Sequence, residues 1–297
     1  MSETTVVYIA GCGRSGSTVL DLSLGRIDGW HSMGEFRLFW HALRDGWRCA
    51  CGESVATCPF WSEVVTASQC DAPDVLADLR TTVRVRRIPA LMKPALLGSH
   101  RGAHDRLGAC LRDVYEGAAA QAGASVLIDS SKDSIYGLLL ANVLDMRIHV
   151  VHLVRDSRAV AWSWQRKLKR PEIAHKDAYM PMRSAVRAGL DWDMRNALVH
   201  LLRRRADGYT RVSYEAFASE PEATVERIRA AVGPVAPAPA AASAGGLNHT
   251  VAGNPVRFST EPLALRPDLE WQEALPAADK RMVTALTWPL LRRYGYR

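Results

Sequence analysis

Residues 6–18 read VVYIAGCGRSGST, and this stretch decides the fold. The run at 6–10 is apolar on both faces, the mark of a strand buried in a parallel sheet. Residues 15–24 then carry Val19, Leu20, Leu22 and Leu24 and read as a helix. Between the two, Gly11, Gly16 and Thr18 occupy the positions of the nucleotide phosphate loop, G-x-x-x-x-G-K-[ST]. Ser17 stands where that pattern needs its lysine, and the nearest cation is Arg14, inside the loop. In nucleoside triphosphatases the lysine and a magnesium ion manage the β- and γ-phosphates. A loop that keeps the backbone cradle but moves the cation implies a different anionic ligand. Backbone N–H groups over Gly13–Thr18, together with the helix N-terminus, supply an anion site. The hydroxyls of Ser15, Ser17 and Thr18 add donors, and Arg14 adds a guanidinium that can fork onto an oxyanion.

Working outward, residues 125–129, 147–154 and 209–213 are further short apolar strands. Helical patterns fill 135–144, 157–168, 185–205 and 221–232, and residues 74–122 look mostly helical with breaks at Pro89 and Pro94. Strands alternating with helices make an α/β fold: a P-loop-like central parallel β-sheet flanked by helices, in a single domain spanning 1–297 with helical insertions. Residues 36–106 read as a variable, mostly helical insertion on the acceptor side. Residues 233–246 (GPVAPAPAAASAGG) read as a flexible connector. Ligands in such sheets bind beyond the carboxyl ends of the strands. Residues 11–18, 129–132 and 155–163 all follow strand ends, so one crevice can collect them.

The bulk properties narrow the class. The 297 residues are 48% hydrophobic and 23% charged, an ordinary globular composition. No apolar run reaches the ~18 residues that would cross a bilayer, so no membrane contact is expected. The N-terminus enters a strand without a basic leader, which argues against a signal peptide and leads us to expect the cytoplasm. The net charge of +7 suits an anionic ligand. Basic residues cluster at 80–106 and 166–170 without interleaved aromatics, so nucleic acid is not an expected partner.

A second motif is Arg155-Asp156-Ser157-Arg158, with Ser163 two helical turns on. Arg155 before the helix and Ser163 on it can reach one dianionic phosphate. Taken together, the two motifs resemble those of sulfotransferases that use 3′-phosphoadenosine 5′-phosphosulfate (PAPS). That family's 5′-phosphosulfate loop has forms such as P-R-S-G-[ST]-T, here Gly13-Arg14-Ser15-Gly16-Ser17-Thr18. Its 3′-phosphate motif is Arg-Asp-x-Arg with a later serine, here Arg155, Asp156, Arg158 and Ser163. The Arg-type loop is similar to that of protein-tyrosine sulfotransferases. The resemblance implies PAPS as co-substrate, adenosine 3′,5′-bisphosphate as product and no metal requirement. It implies a hydroxyl of a small acceptor, either a natural product or a carbohydrate-like metabolite. The Ala/Arg-rich composition accords with a bacterial gene of secondary metabolism.

The same resemblance distributes roles. Glu35, in Gly34-Glu35, corresponds to the catalytic base of the Arg-type enzymes, with His31 and His249 in reserve. Lys132, in Asp129-Ser130-Ser131-Lys132-Asp133, would sit on the bridging oxygen as the donor breaks. Arg257, after Gly253-Asn254-Pro255, corresponds to the late basic residue that closes over the 3′-phosphate. Tyr214-Glu215 is read as structural. Trp30, Phe36 and Trp162 are open as adenine-stacking residues. Two rival classes stand beside this reading. In a P-loop small-molecule kinase, Asp129 would hold magnesium for ATP. A non-catalytic binder would take adenosine bisphosphate without turnover.

Six cysteines complete the inventory: Cys12, Cys49, Cys51, Cys58, Cys70 and Cys110. Cys49, Cys51 and Cys58 could ligate a metal with His41 or Cys70 as a fourth ligand. Their spacing fits no standard zinc signature. They are read as thiols packing as small hydrophobes, and no metal is assigned.

Overall fold

Alternation along the first strand sets the layers. A computed structural model describes residues 4–68, 70–167, 169, 173, 179–235, 248–258, 265 and 267–297. Strand β1 (Thr5–Gly11) is buried throughout. Its Val6, Tyr8 and Ala10 enter one hydrophobic core while Val7 and Ile9 enter another on the opposite face. Side chains alternate across a strand, so a run apolar at every position demands cover on both faces.

The chain continues through α1 (Ser17–Leu24), β2 (Trp30–Gly34), α2 (Phe39–Arg44), α3 (Pro59–Ser68), α4 (Ala72–Thr82), α5 (Ile88–Met92) and α6 (Arg101–Ala122). Then come β3 (Val126–Lys132), α7 (Ser134–Val143), β4 (Arg147–Val154), α8 (Ser157–Gln165), α9 (Ala185–Leu202) and β5 (Gly208–Ser213). Helices α10 (Tyr214–Ser219), α11 (Pro221–Val232), α12 (Trp271–Ala274) and α13 (Ala277–Arg293) close the fold. The five strands form one sheet in the order β2-β3-β1-β4-β5. Every neighbouring pair is parallel. The chain leaves β1 toward one edge and later returns to its other side at β4. The loop after β1 therefore opens at the switch point, where such sheets bind ligands.

Several local expectations change. The sequence reads as four strands, but β2 is a fifth, pairing along β3 at the sheet edge. Its WHSMG has only two fully apolar residues, too few to signal a strand. Strand β3 runs on through Ser130 and Ser131, and Asp133 caps α7, accepting from the N–H groups of Ile135 and Tyr136. Pro89 opens α5 rather than breaking a helix, since a first-turn N–H has no helical partner to lose. Pro94 likewise starts a short 3-10 turn. Within the proposed insertion, residues 36–106, the helices α2 to α5 pack into the larger core. Of the proposed connector, residues 236–246 lie outside the described residues. No helix among the described residues is long and apolar enough to cross a membrane.

Candidate active site

The loop between β1 and α1 is bent by left-handed residues. Backbone φ is positive at Arg14 (69°) and Gly16 (84°), but not at Gly13 or Ser15. Such alternation turns successive N–H groups toward one concavity, an anion nest at the start of α1. Gly16 is needed here twice over. Its φ favours glycine, and an added Cβ would stand 2.6 Å from the Tyr214 ring. Tyr214 thus backs the loop, which agrees with its structural reading.

Donors around this nest lack acceptors. Arg14 Nη2, Ser15 Oγ and Trp164 Nε1 are buried without a hydrogen-bond partner among the described residues. Buried donors are nearly always satisfied, so a cluster of orphans fits an anion bound there. The Arg14 guanidinium lies over the Trp164 ring at 4.9 Å, and Arg183 lies over the same ring at 4.1 Å. Burial lowers the pKa of Arg14, and the nearby Glu35 carboxylate partly offsets this.

Facing the loop are Glu35 and Lys132. Strand β2 ends at Gly34, whose φ of 79° turns the chain so that Glu35 leaves the sheet edge. A Cβ on Gly34 would meet Val251 O at 2.4 Å, so the 251 segment lies directly on this turn. The Glu35 N–H donates to Val251 O at 2.9 Å, and the Val251 N–H donates to Met33 O at 2.9 Å. Lys132, the last residue of β3, also has a positive φ, 65°. Non-glycine residues in this region are uncommon and gather at functional sites. Lys132 Nζ donates to Ser130 O at 2.9 Å and pairs with Glu35 Oε1 at 2.7 Å. An ammonium has three N–H donors, so one stays available to a ligand.

Loop and pair share one cavity of about 510 Å³. Its polar side presents Arg14, Ser17, Thr18, Glu35, Lys132 and Asn254, and its apolar side presents Val19, Leu38, Trp164, Met180, Pro181 and Val256. Gly13, Gly16 and Gly253 complete the lining. The Asn254 N–H donates to Thr18 Oγ1 at 3.2 Å, closing the wall over α1.

The fold has counterparts among known proteins. The chain is similar to the sulfotransferase domain from the Synechococcus PCC 7002 olefin synthase. Identity is 19%, coverage is 99% of this chain and 95% of that one, and the TM-score is 0.52. The fold is that of a sulfotransferase domain. A sulfotransferase domain from the curacin biosynthetic pathway is also similar, at 14% identity, 99% and 98% coverage and a TM-score of 0.49. No protein-family model and no curated protein matches the chain.

In this sulfotransferase fold not every expected site residue reaches the cavity. Arg155 is buried behind the phosphate loop. Its Nη1 donates to Arg14 O at 2.9 Å, its Nη2 pairs with Asp268 Oδ2 at 2.7 Å, and it stacks over Tyr214 at 4.5 Å. It therefore steadies the left-handed Arg14. Ser163 is half-buried on α8 and does not line the cavity. Arg158 forks onto Asp156, which caps α8. Glu215 accepts from the N–H of Asp156 at 3.1 Å and from the Tyr296 hydroxyl at 2.6 Å.

Arg257 departs most from its expected role. It is 3% exposed and donates to Thr250 O at 2.6 Å and to Arg48 O at 2.8 Å. It ties two backbone segments together behind the cavity and is not placed as a phosphate anchor. The reserve bases are also misplaced. His31 is half-buried with its pKa pushed down to about 4 by desolvation, and it stacks on Phe60 at 4.8 Å. His249 lies beside Cys58, with Nδ1 3.3 Å from Sγ. Neither histidine lines the cavity. Of the adenine-stacking candidates, Trp30 and Phe36 are core residues. Trp162 packs against Ala159, Trp271 and Leu275.

Asp129 bears on the kinase alternative. Its oxygens accept from Tyr115 Oη at 2.6 Å and from the Ser131 N–H at 2.8 Å. The side chain is fully buried, and desolvation raises its pKa to about 6. A carboxylate engaged in this way does not face the cavity and is not disposed to hold a magnesium ion there.

Proposed function

We propose that this chain is a sulfotransferase that moves the sulfuryl group of PAPS to a hydroxyl of a small-molecule acceptor. One observation carries the reading: the Glu35–Lys132 pair faces a lysine-free phosphate loop whose buried donors lack acceptors among the described residues. A base and a leaving-group cation opposite an anion nest are what in-line sulfuryl transfer requires.

In this reading the loop amides, Arg14 and the hydroxyls of Ser15, Ser17 and Thr18 hold the 5′-phosphosulfate. Lys132 turns its free N–H onto the bridging oxygen. That contact weakens its hold on Glu35, which then takes the acceptor's proton. The acceptor oxygen bonds to sulfur as the bond from sulfur to the bridging oxygen breaks. Lys132 and Arg14 neutralise the charge arriving on the departing bisphosphate, where fixed donors lower the barrier most. Arg155 and Ser163 take the 3′-phosphate after Arg155 exchanges Asp268 for it. The apolar wall at Leu38, Trp164, Met180 and Pro181 suits an acceptor with an apolar body.

The test is release of adenosine 3′,5′-bisphosphate from PAPS across a panel of phenols, alcohols and sugars, in EDTA. Acceptor-dependent release supports transfer. Tight bisphosphate binding with no release on any acceptor would favour the non-catalytic binder.

A further inference from the structure

Behind the cavity wall, Cys49, Cys51, Cys58 and His249 bring three sulfurs and an imidazole nitrogen within 4.8 Å of one another. Cys70, one of the fourth ligands considered from spacing, is instead bonded to Cys110 in a disulfide. His41 lies on α2 beside Arg44. The fourth group comes from the far end of the chain, where no spacing rule could find it.

Four of the six separations lie near the edges of a tetrahedron. Zinc at ~2.3 Å from sulfur and ~2.05 Å from nitrogen sets S···S edges of about 3.8 Å and S···N edges of about 3.6 Å. Here Cys51 Sγ and Cys58 Sγ are 3.6 Å apart, and Cys58 Sγ and Cys49 Sγ are 3.7 Å apart. His249 Nδ1 lies 3.3 Å from Cys58 Sγ and 3.9 Å from Cys49 Sγ. Disulfide sulfurs would be about 2.05 Å apart, so these three are not bonded.

The surroundings hold the four groups in place. The Cys49–Cys58 turn is closed by Cys49 N–H to Glu53 O at 2.8 Å and Cys58 N–H to Ser54 O at 2.8 Å. Trp61 Nε1 holds His249 O at 2.7 Å, and Phe60 stacks on the His249 ring at 5.1 Å. Arg257 donates to the carbonyls of Arg48 and Thr250, each adjacent to a ligand, and sets a positive charge beside an anionic Cys3His centre.

We propose that Cys49, Cys51, Cys58 and His249 bind one zinc ion, a closed structural site that clamps the 249–254 segment to the 48–58 turn. Four protein ligands leave no open position, so the ion takes no part in transfer. Its effect on the active site is positional. Val251 accepts from the N–H of Glu35, and Asn254 donates to Thr18. The clamp therefore holds the cavity wall that carries both contacts. Binding releases the thiol protons to solvent, so affinity falls at acid pH.

The experiment is metal analysis of the full chain purified without added chelator, followed by titration with zinc and with cobalt(II). About one zinc per chain is expected. The cobalt(II) form should show visible bands of tetrahedral geometry and thiolate-to-metal charge transfer. Cys58→Ser and His249→Ala should each lose most of the bound zinc, while His41→Ala keeps it. Should those variants fail to fold, the wild type decides. A strong chelator should lower its melting temperature, and zinc should restore it. A wild-type chain that holds no zinc and gives no tetrahedral cobalt spectrum overturns the proposal, as does zinc retained in full by a folded Cys58→Ser. None of these readouts uses activity, so the proposal stands or falls apart from sulfuryl transfer.

Discussion

Lys132 Nζ and Glu35 Oε1 lie 2.7 Å apart at the ends of neighbouring parallel strands, both facing the phosphate loop. In the proposed function the pair joins the base to the leaving-group cation, so each sets where the other points. Glu35→Gln should keep bisphosphate affinity within a few-fold and lower kcat by about 10²–10⁴. Lys132→Ala should lower kcat by about 10²–10³ with a smaller effect on KM. The double variant should lose less than the product of the two, since the residues act as a unit. Steady-state kinetics on an accepted hydroxyl compound checks all three. Near-normal turnover in Glu35→Gln removes the base assignment.

Arg155 is held by Asp268 in this structure, and in the proposed function a 3′-phosphate must compete with that carboxylate. Asp268→Asn should therefore tighten bisphosphate binding several-fold, and Arg155→Ala should weaken it by tenfold or more. Calorimetry on the two variants decides. Weaker binding in Asp268→Asn would mean that Arg155 supports the loop without touching ligand.

Gly34 carries Glu35 on a left-handed turn packed against Val251. In Gly34→Ala the Cβ meets a backbone carbonyl, which cannot yield as a side chain would. We expect destabilisation of at least ~1–3 kcal/mol, plus loss of turnover beyond what stability explains. Denaturant unfolding alongside kinetics separates the two effects.

Much of this site is legible in the sequence because phosphate loops depend on local backbone geometry. Gly16, Arg14 and the hydroxyls sit where the motif puts them, and β1, β3 and β4 are apolar enough to be seen. Glu35 is reached only through resemblance, because β2 presents too little apolar pattern to read as a strand. Contacts between distant segments leave no trace. Nothing near Arg155 in the chain announces Asp268, and nothing near Cys58 announces His249. The Cys70–Cys110 disulfide is hidden for the same reason. Arg257 misleads because a basic residue after a glycine turn looks alike whether it meets a phosphate or two carbonyls.

Asp21 gives no signal in the sequence yet lies buried under the loop, accepting from Ser32 at 2.5 Å and Ser130 at 2.8 Å. Burial outweighs these bonds and raises its pKa to about 7. The unfolded value is about 3.9, so the folded chain holds this proton more tightly. Its contribution is therefore present below about pH 4 and is lost as pH rises through about 7. The loss is at most ~1.4 kcal/mol per pH unit. Asp21→Asn cannot titrate, so its stability relative to wild type should rise from about pH 4 to about pH 7. A flat difference between their unfolding curves over that range would show that Asp21 titrates normally.

The central claim concerns the donor, and calorimetry with adenosine 3′,5′-bisphosphate and with ATP, both in EDTA, tests it most directly. The account predicts tight, metal-free binding of the bisphosphate and weak or no binding of ATP. Binding of ATP that appears only with magnesium, with the bisphosphate inert, would contradict it.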